Sequence, residues 1–490
     1  MKTFLNLIKR HYPVFIFLTF YFLLFSTKLI SNPAPFYDWD ESIYAEVGRE
    51  MITKGSLTPL WQYQTWLDKP PLVPLFYGLI MKITPFIAAE ISTRIVTLFI
   101  ATVALGFVYM LYYRVIKETW LTTLVVVLTS FTSIILQRAL VLNIDIFLLI
   151  GWLGYVLFYE RFKLSLFFLT IAVLSKSLIG FYAPGIMTLF FLYLFFTKQI
   201  DKKGLIQQAR HIAFQVFILL LWYLIMFAVY GKAFFIQHVY ESHMKRVTAS
   251  IETHFGRREY YITLLYEYFG TLSFLSVVGV CVIAGQWYKK QIKNKELLYA
   301  LYLLPWFLFL NVTKTKIFWY SHPYIPQFAF LILYPLILVK KLPFRLYGIL
   351  ITVLSLTILW HYLYKEQIYT VQYATRESHH DLAEYAATRC NKLYMLMSPT
   401  ERKKIVDLES MDLTITTTTW WGQHPSMVYY FGKKIDFIYR LDQFSALLQK
   451  NPSNECLTLT DEDKDKITKL KNLTLLKQFG TVYLYKFKVE

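Results

Sequence analysis

Carboxylates are concentrated in one short stretch that follows the first long apolar segment of the chain. The stretch FYDWDESIYAEVGREM, residues 36–51, contains Asp38, Asp40, Glu41, Glu46 and Glu50. A positioned carboxylate can take a proton from an acceptor hydroxyl during group transfer, which makes it a candidate general base. This density of acid beside apolar sequence makes the stretch the first candidate for a functional site.

The acidic stretch is expected to form a helix that lies on the outer membrane boundary. Acid in the first turn is favoured by the helix dipole, so Asp38 or Asp40 is expected to cap the start of the helix. Ile43, Val47 and Met51 would then share one apolar stripe. In this interpretation Asp38 has a capping role only.

Further ionisable side chains recur near the ends of apolar segments, in many separate loops. They include Asp68, Lys69, Arg138, Asp145, Lys176, Glu241, His243, Arg246, Lys314 and Lys316. Ionisable residues at membrane depth are unfavourable and commonly mark function. Headgroup anchoring is an adequate alternative for a single cation, but it does not explain Asp40, Asp68 and Asp145. The mixed set suits an anionic, lipid-linked substrate.

Cations of this set could stabilise a phosphate leaving group. When a group is transferred away from a phosphate, negative charge grows on the phosphate oxygens, and preorganised positive charge is often the largest stabilising contribution. The candidates for this role are Lys69, Lys314, Lys316 and Arg246.

A metal ion is a second way to supply the same positive charge. Hard ligands for a divalent cation could come from Asp40, Asp145, Glu241 and His243. These residues lack the tight spacing that is typical of a metal site. The sequence therefore requires no cofactor and leaves a divalent cation open.

Composition sets the broad class of the protein. The chain has 490 residues, of which 56% are hydrophobic and 17% charged, against about 25% charged residues in soluble domains. Several apolar runs reach the ~20 residues that a membrane-spanning helix needs. The net charge of +19 comes mainly from Lys and Arg between apolar runs, which favours contact with membrane lipids and excludes a nucleic-acid partner.

The cationic loops predict the orientation of the chain. Lys2, Lys9 and Arg10 place the N-terminus in the cytoplasm. Residues 71–83 are too short to span and are expected to lie at the outer surface. The eleven predicted spans are then 12–30, 92–113, 120–136, 146–159, 164–175, 178–197, 210–230, 263–286, 297–312, 322–339 and 346–364. The fold class expected is a polytopic α-helical membrane protein with about 11 to 13 transmembrane helices.

Two domains follow from the change in composition at residue 365. Residues 1–364 form the transmembrane domain, with an external loop at 31–91. Residues 365–490 are predicted to form a small α/β domain outside the membrane, with strands in KLYMLM, CLTLT and TVYLYKFKV and helices in SHHDLAEYAATR and LDQFSALLQK. In an oxidising compartment Cys390 and Cys456 could form a disulfide; the alternative is two buried free thiols.

Aromatic residues accompany the charged ones. Those near the outer boundary, by this topology, are Trp61, Tyr63, Trp66, Trp319 and Tyr320. An interfacial belt is the favoured interpretation for these residues except Tyr320, which is favoured for the site, and a sugar-binding platform is the alternative.

The block DESIYAEVGREMITKGSLTPLWQYQTWLDKPPL, residues 40–72, closely resembles the first external loop of bacterial C-type membrane glycosyltransferases. These enzymes include relatives of the aminoarabinose lipid A transferases and the protein O-mannosyltransferases. Three weaker matches follow in RALVLNIDIF (138–147), LSKSLIGFYAPG (174–185) and KTKIFWYSHPYIP (314–326). The resemblance spans about residues 10–365. It departs from the family at Asp68, which replaces a Glu, and at Ile43, which stands where the aminoarabinose enzymes usually have Arg.

The resemblance implies roles for individual residues. It implies that Asp40 and Asp145 are the catalytic external carboxylates and that Lys69 binds the lipid phosphate. The candidate substrate contacts are Glu41, Tyr44, Asp68, Arg138, His243 and Tyr320.

The reaction implied is an inverting transfer of a sugar from a polyprenyl (undecaprenyl) phosphate. The acceptor would be lipid A, an envelope glycan or a protein on the outer face of the bacterial inner membrane. Two other classes remain open: a transporter or flippase of lipid-linked saccharides, and a non-catalytic lipid-binding receptor. Transporters usually place polar sites at the midplane on broken helices, whereas this chain concentrates its acids in the first external loop.

Overall fold

The computed structural model describes residues 2–339, 343–467 and 472–488. Its internal contacts divide the chain into two compact units. The first unit comprises residues 1–32, 94–231 and 256–371, and the second comprises residues 33–93, 232–255 and 372–490. The predicted external loop and nearly all of the predicted C-terminal domain therefore belong to the same unit.

Helices make up most of the described chain. They are α1 (Lys2–Ser31), α2 (Asp40–Lys54), α3 (Leu72–Ile83), α4 (Ala89–Ile116), α5 (Thr119–Phe131), α6 (Ser133–Leu140), α7 (Asp145–Leu157), α8 (Phe162–Lys176), α9 (Tyr182–Phe196), α10 (Lys202–Phe234), α11 (Arg246–Thr248), α12 (Tyr260–Phe269), α13 (Leu275–Tyr288), α14 (Asn294–Leu301), α15 (Leu304–Val312), α16 (Ile325–Leu333), α17 (Leu336–Val339), α18 (Phe344–Leu359), α19 (Ser378–Ala387), α20 (Pro399–Ser410), α21 (Ser426–Phe431), α22 (Leu441–Lys450) and α23 (Lys464–Ile467). Shorter 3-10 or wider π segments occur at Ser177–Phe181, Phe235–Lys245, Gly270–Phe274, Phe318–Tyr324, Trp360–Lys365 and Asp461–Asp463.

Six described helical segments are long and apolar enough to cross a membrane, judged by length and composition. They are Lys9–Ser31, Ala89–Ile116, Phe162–Phe196, Lys202–Thr248, Tyr260–Tyr288 and Leu346–Lys365. Two bent pairs, α5 with α6 and α14 with α15, would raise the number to eight. The chain is thus a polytopic helical membrane protein. The predicted count of about 11 to 13 spans stays a prediction, because several predicted spans correspond to helices too short for this criterion, such as the 13-residue α7.

Helices α7 and α8 pack closely enough to require glycine between them. A Cβ atom on Gly151 would lie 2.8 Å from the Cβ of Ala172, and one on Gly154 would lie 2.2 Å from the ring of Phe168. Because α7 begins at Asp145 and α8 ends at Lys176, this pairing brings those two charged ends together. The local packing therefore positions two of the residues that the sequence marks as functional.

Helix α2 begins at Asp40, as predicted, and it packs directly against α3. A Cβ atom on Gly48 would lie 2.4 Å from the Pro74 carbonyl oxygen in α3, so the two backbones are in contact. The predicted apolar stripe is buried, and so are Glu41, Ser42 and Ala45 on the other side of the helix. The prediction of a helix is confirmed, and its position at the membrane boundary stays a prediction.

The start of α2 is not capped by an acidic side chain. The N-cap residue is Trp39, in a positive-φ conformation (72°), and no side-chain hydrogen bond caps the helix. Asp38 accepts hydrogen bonds from the His424 ring and the Ser426 backbone instead. The predicted capping role of Asp38 is therefore wrong, because its carboxylate is turned toward the C-terminal part of the chain.

The C-terminal region forms a five-stranded sheet. The strands of the described chain are β1 (Leu60–Trp61), β2 (Gln64–Thr65), β3 (Leu393–Leu396), β4 (Ile435–Ile438), β5 (Cys456–Thr460), β6 (Leu473–Phe479) and β7 (Val482–Phe487). The order is β4-β3-β5-β7-β6, parallel from β4 to β5 and antiparallel across β7. This confirms the predicted small α/β domain, with α19 and α22 at the two predicted helices. Cys390 and Cys456 form a disulfide.

The external loop is tied to the C-terminal α/β domain within the second unit. The guanidinium of Arg49 donates to the Tyr429 carbonyl oxygen (2.9 Å), and the side chain of Gln62 accepts from the backbone N–H of Ile435 (2.7 Å). Trp61 and Trp66 are each 2% exposed, and their rings contact Trp421. These two tryptophans form a buried cluster, so the interfacial belt predicted for them is wrong.

Candidate functional site

Asp68 and Lys69 form an ion pair immediately before the short helix α3. The Lys69 ammonium lies 2.7 Å from the Asp68 carboxylate. The Ser242 hydroxyl donates to the other carboxylate oxygen. Asp68 is 8% exposed, whereas the Lys69 side chain is 18% exposed. The arrangement fixes the ammonium and leaves part of the Lys69 side chain accessible.

The segment 235–248 contacts this pair through Ser242, and the residue before the pair through His238. His238 contacts the Leu67 carbonyl oxygen through Nδ1 at 2.7 Å, and Arg246 lies 3.5 Å from the carboxylate of Glu252. His243 presents a buried Nε2 that has no hydrogen-bond partner among the described residues. Four sequence candidates, Asp68, Lys69, His243 and Arg246, therefore belong to one charged cluster.

Electrostatics in this cluster favour the charged form of Asp68. Burial alone raises the pKa of the Asp68 carboxyl, but the charges of Lys69 and Arg246 and the hydrogen bonds from Lys69 and Ser242 outweigh burial and lower the pKa to about 2. Asp68 is therefore ionised at neutral pH and holds a cation beside it.

The other candidates of the external loop lie at the start of α2. Asp40 is its first residue and is partly exposed. Glu41 is 1% exposed and accepts a hydrogen bond from the Tyr37 backbone N–H (2.6 Å), which closes the turn before the helix. Tyr44 is buried against the Trp66 ring. Asp40 is thus the more accessible of the two acids that open α2.

The remaining acids of the stretch are occupied by local contacts. Glu46 lies 2.5 Å from the Arg49 guanidinium, and Glu50 accepts a hydrogen bond from the Tyr63 backbone N–H (2.8 Å). Burial, together with the nearby Glu50 carboxylate, raises the pKa of Glu46 to about 8 despite Arg49. These acids support the fold around α2.

A second charged cluster lies in the first unit. The Lys176 ammonium donates to one oxygen of Asp145, and Arg138 Nε lies 4.0 Å from the other. All three residues are at most 5% exposed. Asn143 accepts from the Ile146 N–H and donates to the Arg138 carbonyl oxygen, which orders the turn that enters α7.

Aromatic rings cover the cations of this second cluster. The Lys176 ammonium lies 4.5 Å from the centre of the Tyr320 ring, and the Arg138 guanidinium carbon lies 5.0 Å from the centre of the Trp319 ring. Such geometry adds a cation–π attraction to the ion pairing. The cluster unites Arg138, Asp145 and Tyr320, which the sequence had marked separately.

The two lysine candidates that follow α15, Lys314 and Lys316, differ in their surroundings. Lys316 is 4% exposed, and its ammonium donates to the carbonyl oxygens of Leu310 and Asn311 in the last turn of α15. Lys314 is exposed. The structure thus places the Lys316 ammonium on a helix C-terminus, where cations are favoured.

The proposed metal ligands do not form one site among the described residues. Asp145 is engaged by Lys176, and Glu241 accepts hydrogen bonds from Thr416. Sequence reasoning also missed Ser242 and left Lys176 without a role. A hydroxyl beside a carboxylate leaves no spacing signal, so Ser242 could not be found without coordinates.

Comparison with solved structures places the fold. ArnT from Cupriavidus metallidurans bound to undecaprenyl phosphate matches with a TM-score of 0.64 and 14% identity, over 96% of this chain and 97% of that one. Its apo state matches with a TM-score of 0.67. The Archaeoglobus fulgidus oligosaccharyltransferase, in complex with Zn and sulfate, matches with a TM-score of 0.57 and 13% identity over 91% of this chain and 68% of that one. The chain has the C-type glycosyltransferase fold, as predicted.

Sequence comparison finds one partial match to a curated protein. No family model matches the chain. An uncharacterized protein of Aquifex aeolicus (strain VF5) is 28% identical over 305 residues, which cover 59% of this chain and 57% of the relative. The match therefore takes in less than two thirds of that relative.

Proposed function

We propose that the chain is an inverting glycosyltransferase that moves a sugar from a polyprenyl phosphate to an acceptor at the outer face of the bacterial inner membrane. The observation that carries the proposal is the Asp68–Lys69 pair, with Arg246 nearby, in a fold whose solved member ArnT is bound to undecaprenyl phosphate. A fixed, partly accessible ammonium beside an apolar helix suits the phosphate of a membrane lipid.

In this proposal Lys69 binds the donor phosphate. An ammonium has three N–H donors, and the Asp68 carboxylate occupies one of them. The others can reach phosphate oxygens without first reorganising, because Asp68 and Ser242 hold the group in place. Charge that grows on the phosphate as the sugar leaves is then met by a preorganised cation. Arg246 adds positive charge to the same cluster.

Asp40 is the proposed base for the acceptor. The acceptor oxygen attacks the anomeric carbon, the bond from that carbon to the phosphate oxygen breaks, and its electron pair stays on the phosphate. The proton of the acceptor hydroxyl passes to the Asp40 carboxylate late in this step, because an ordinary Asp has a pKa of about 3.9 and is a weak base. One displacement inverts the anomeric centre without a covalent sugar intermediate. The mechanism uses no cofactor and is compatible with a divalent cation.

Transfer from a radiolabelled polyprenyl-phosphate sugar, followed by thin-layer chromatography, tests the proposal. Asp40→Asn keeps the shape of the side chain and should lower turnover about 10²–10⁴-fold while donor binding persists. Asp442→Asn, which removes an exposed acid from the first turn of α22, is the matched control and should leave turnover unchanged. Full activity of Asp40→Asn would remove its proposed role as base.

The same assay separates the other functional classes. A flippase would bind the lipid-linked sugar and move it across vesicles without forming a glycosylated product, and a receptor would only bind it. Comparison of lipid A, envelope glycans and envelope proteins by mass spectrometry, with and without the gene, would identify the acceptor from the missing sugar mass.

The proposed orientation places the N-terminus in the cytoplasm and the C-terminal domain in the periplasm. Ser453 is exposed in that domain, so Ser453→Cys in a Cys281→Ser background should react with an impermeant maleimide once the outer membrane is permeabilised. Lys290→Cys, in a predicted inner loop, is the control that should react only after the inner membrane is opened. The reverse labelling pattern would invert the topology.

A further inference from the structure

We infer that Asp38, His379 and His424 form a divalent metal site of the Zn²⁺ type in the second unit. The carboxylate and the two imidazoles offer one ligand atom each, and the three atoms lie within 4.8 Å of one another. Two imidazole nitrogens and one carboxylate oxygen suit zinc and leave a fourth position for water. The inference is independent of the proposed glycosyl transfer.

The ligand atoms are close to the separation that a zinc ion needs. Asp38 Oδ2 lies 2.8 Å from His424 Nδ1 and 3.4 Å from His379 Nε2. Tetrahedral ligands at zinc distances of about 2.0–2.2 Å are about 3.4 Å apart. The three ligand atoms are therefore grouped around one point. Because the two rings lie nearly parallel, at 13°, one ring must rotate about its side-chain bonds to direct its nitrogen at the ion.

Neighbouring groups orient the ligands as the outer shell of a metal site does. The Ser426 backbone N–H donates to Asp38 Oδ1 (2.9 Å), which leaves Oδ2 turned toward both rings. His379 Nδ1, the nitrogen away from Asp38, lies 3.6 Å from the Glu377 carboxylate. A carboxylate behind a metal-binding histidine fixes its ring and raises its basicity. The two rings also stack, with centres 4.0 Å apart.

The site joins three separate parts of the chain. His379 is in the first turn of α19, His424 lies in the loop before α21, and Asp38 comes directly before Trp39. Trp39 has a positive φ of 72°, a conformation that is unfavourable for a residue with a side chain and that the surroundings must hold. A metal ion on Asp38 would hold this turn and thereby the start of α2, two residues before Asp40.

Metal retention by the full chain in detergent tests the inference. The protein is stripped with a chelator, reloaded with Zn²⁺ alone or Co²⁺ alone, and desalted. We expect one equivalent of metal to remain, and bound Co²⁺ to show visible absorption typical of nitrogen and oxygen ligands. His379→Gln, His424→Gln and Asp38→Asn should each lose that equivalent. Glu377→Gln should weaken affinity about 10–100-fold.

The control is His361→Gln, which removes a half-exposed histidine of the first unit and should retain one equivalent. A cooperative unfolding transition in detergent, at the wild-type denaturant concentration, shows that each variant has folded. Three results would overturn the inference: no metal on the wild-type chain, equal retention by the ligand variants, or loss of metal with His243→Gln alone. In those cases the three side chains form a hydrogen-bonded cluster only.

Discussion

The two units each contain an Asp–Lys ion pair, and the two pairs differ in what they can do. Asp145 and Lys176 are 31 positions apart and join the start of α7 to the end of α8. Asp68 and Lys69 are adjacent in sequence, so their pairing joins no separate elements. The first pair constrains the path of the chain, whereas the second constrains only the position of a cation.

Burial separates the two pairs further. The side chains of Asp145 and Lys176 are 1% and 6% exposed, against 10% and 18% for Asp68 and Lys69. Burying charges is unfavourable unless each keeps its partner, so the first pair must stay complete for the fold to be stable. A partly exposed ammonium can exchange water for a ligand. The contacts therefore give the first pair a structural role, and by our proposal the second pair binds the donor. The catalytic role that the resemblance implies for Asp145 stays a prediction.

The largest expected effect is the loss of stability in Asp145→Asn. It leaves the charges of Lys176 and Arg138 buried with a neutral partner, which should lower the free energy of unfolding by about 3–5 kcal/mol. Denaturant unfolding of the purified protein in detergent would measure it. Asp68→Asn is the matched variant in the other pair and should lower stability less, because Lys69 can turn toward water.

A rescue variant sharpens this test. Asp145→Asn combined with Lys176→Met removes one of the two unpaired cations and should recover part of the lost stability. If Asp145→Asn unfolds at the wild-type denaturant concentration, the Asp145–Lys176 pair does not stabilise the fold, and the two pairs do not differ in their structural role.

The second effect in size is the loss of donor affinity in Lys69→Ala. Charge-assisted hydrogen bonds contribute about 1.5–3 kcal/mol, so the dissociation constant of the polyprenyl phosphate should rise about 10–100-fold. Lys69→Arg should recover only part, because the guanidinium differs in shape and reach. Binding to protein in nanodiscs would measure both variants.

The control for Lys69 lies on the neighbouring helix. Lys82 is exposed in the last turn of α3, and Lys82→Ala removes the same charge without removing a partner of Asp68. Donor affinity should be unchanged in this variant. Equal losses of donor affinity in Lys69→Ala and Lys82→Ala would mean that both lysines act only through the overall positive charge of the protein. Lys69 would then have no specific role in binding the phosphate.

The sequence alone predicted the parts that depend on local pattern. Long apolar runs predicted a membrane protein, alternation in CLTLT and TVYLYKFKV predicted β5 and β7, and helical spacing predicted α22 with its bounds. The resemblance over residues 40–72 predicted the fold. These signals need only neighbours along the chain.

Other features depended on contacts between distant residues. The sequence of α2 has one polar and one apolar side, yet both sides are buried. Gly48 has no side chain, so the backbone of α3 can pack directly against α2. Asp38 looked like a helix cap, but His424 and Ser426 lie hundreds of positions away and take its carboxylate. No spacing rule along the sequence reports such long-range partners.

The last test compares Asp68 with Glu46, a buried acid of the same unit whose pKa moves in the opposite direction. Burial raises the pKa of Glu46 to about 8, with Glu50 adding to the rise, whereas the charges around Asp68 lower its pKa to about 2. The folded protein thus keeps the Glu46 proton between its ordinary pKa of 4.5 and about 8, where the unfolded chain has released it. The stability contributed by Glu46 is therefore complete below pH 4.5 and is lost as the pH rises toward 8.

Melting temperatures in detergent at pH 5 and 8 should show this decline in the wild type, and Glu46→Gln, which keeps the shape without the titration, should flatten it. An unchanged pH slope in Glu46→Gln would mean that the carboxyl is already ionised in the fold, held by Arg49 as Asp68 is held by Lys69.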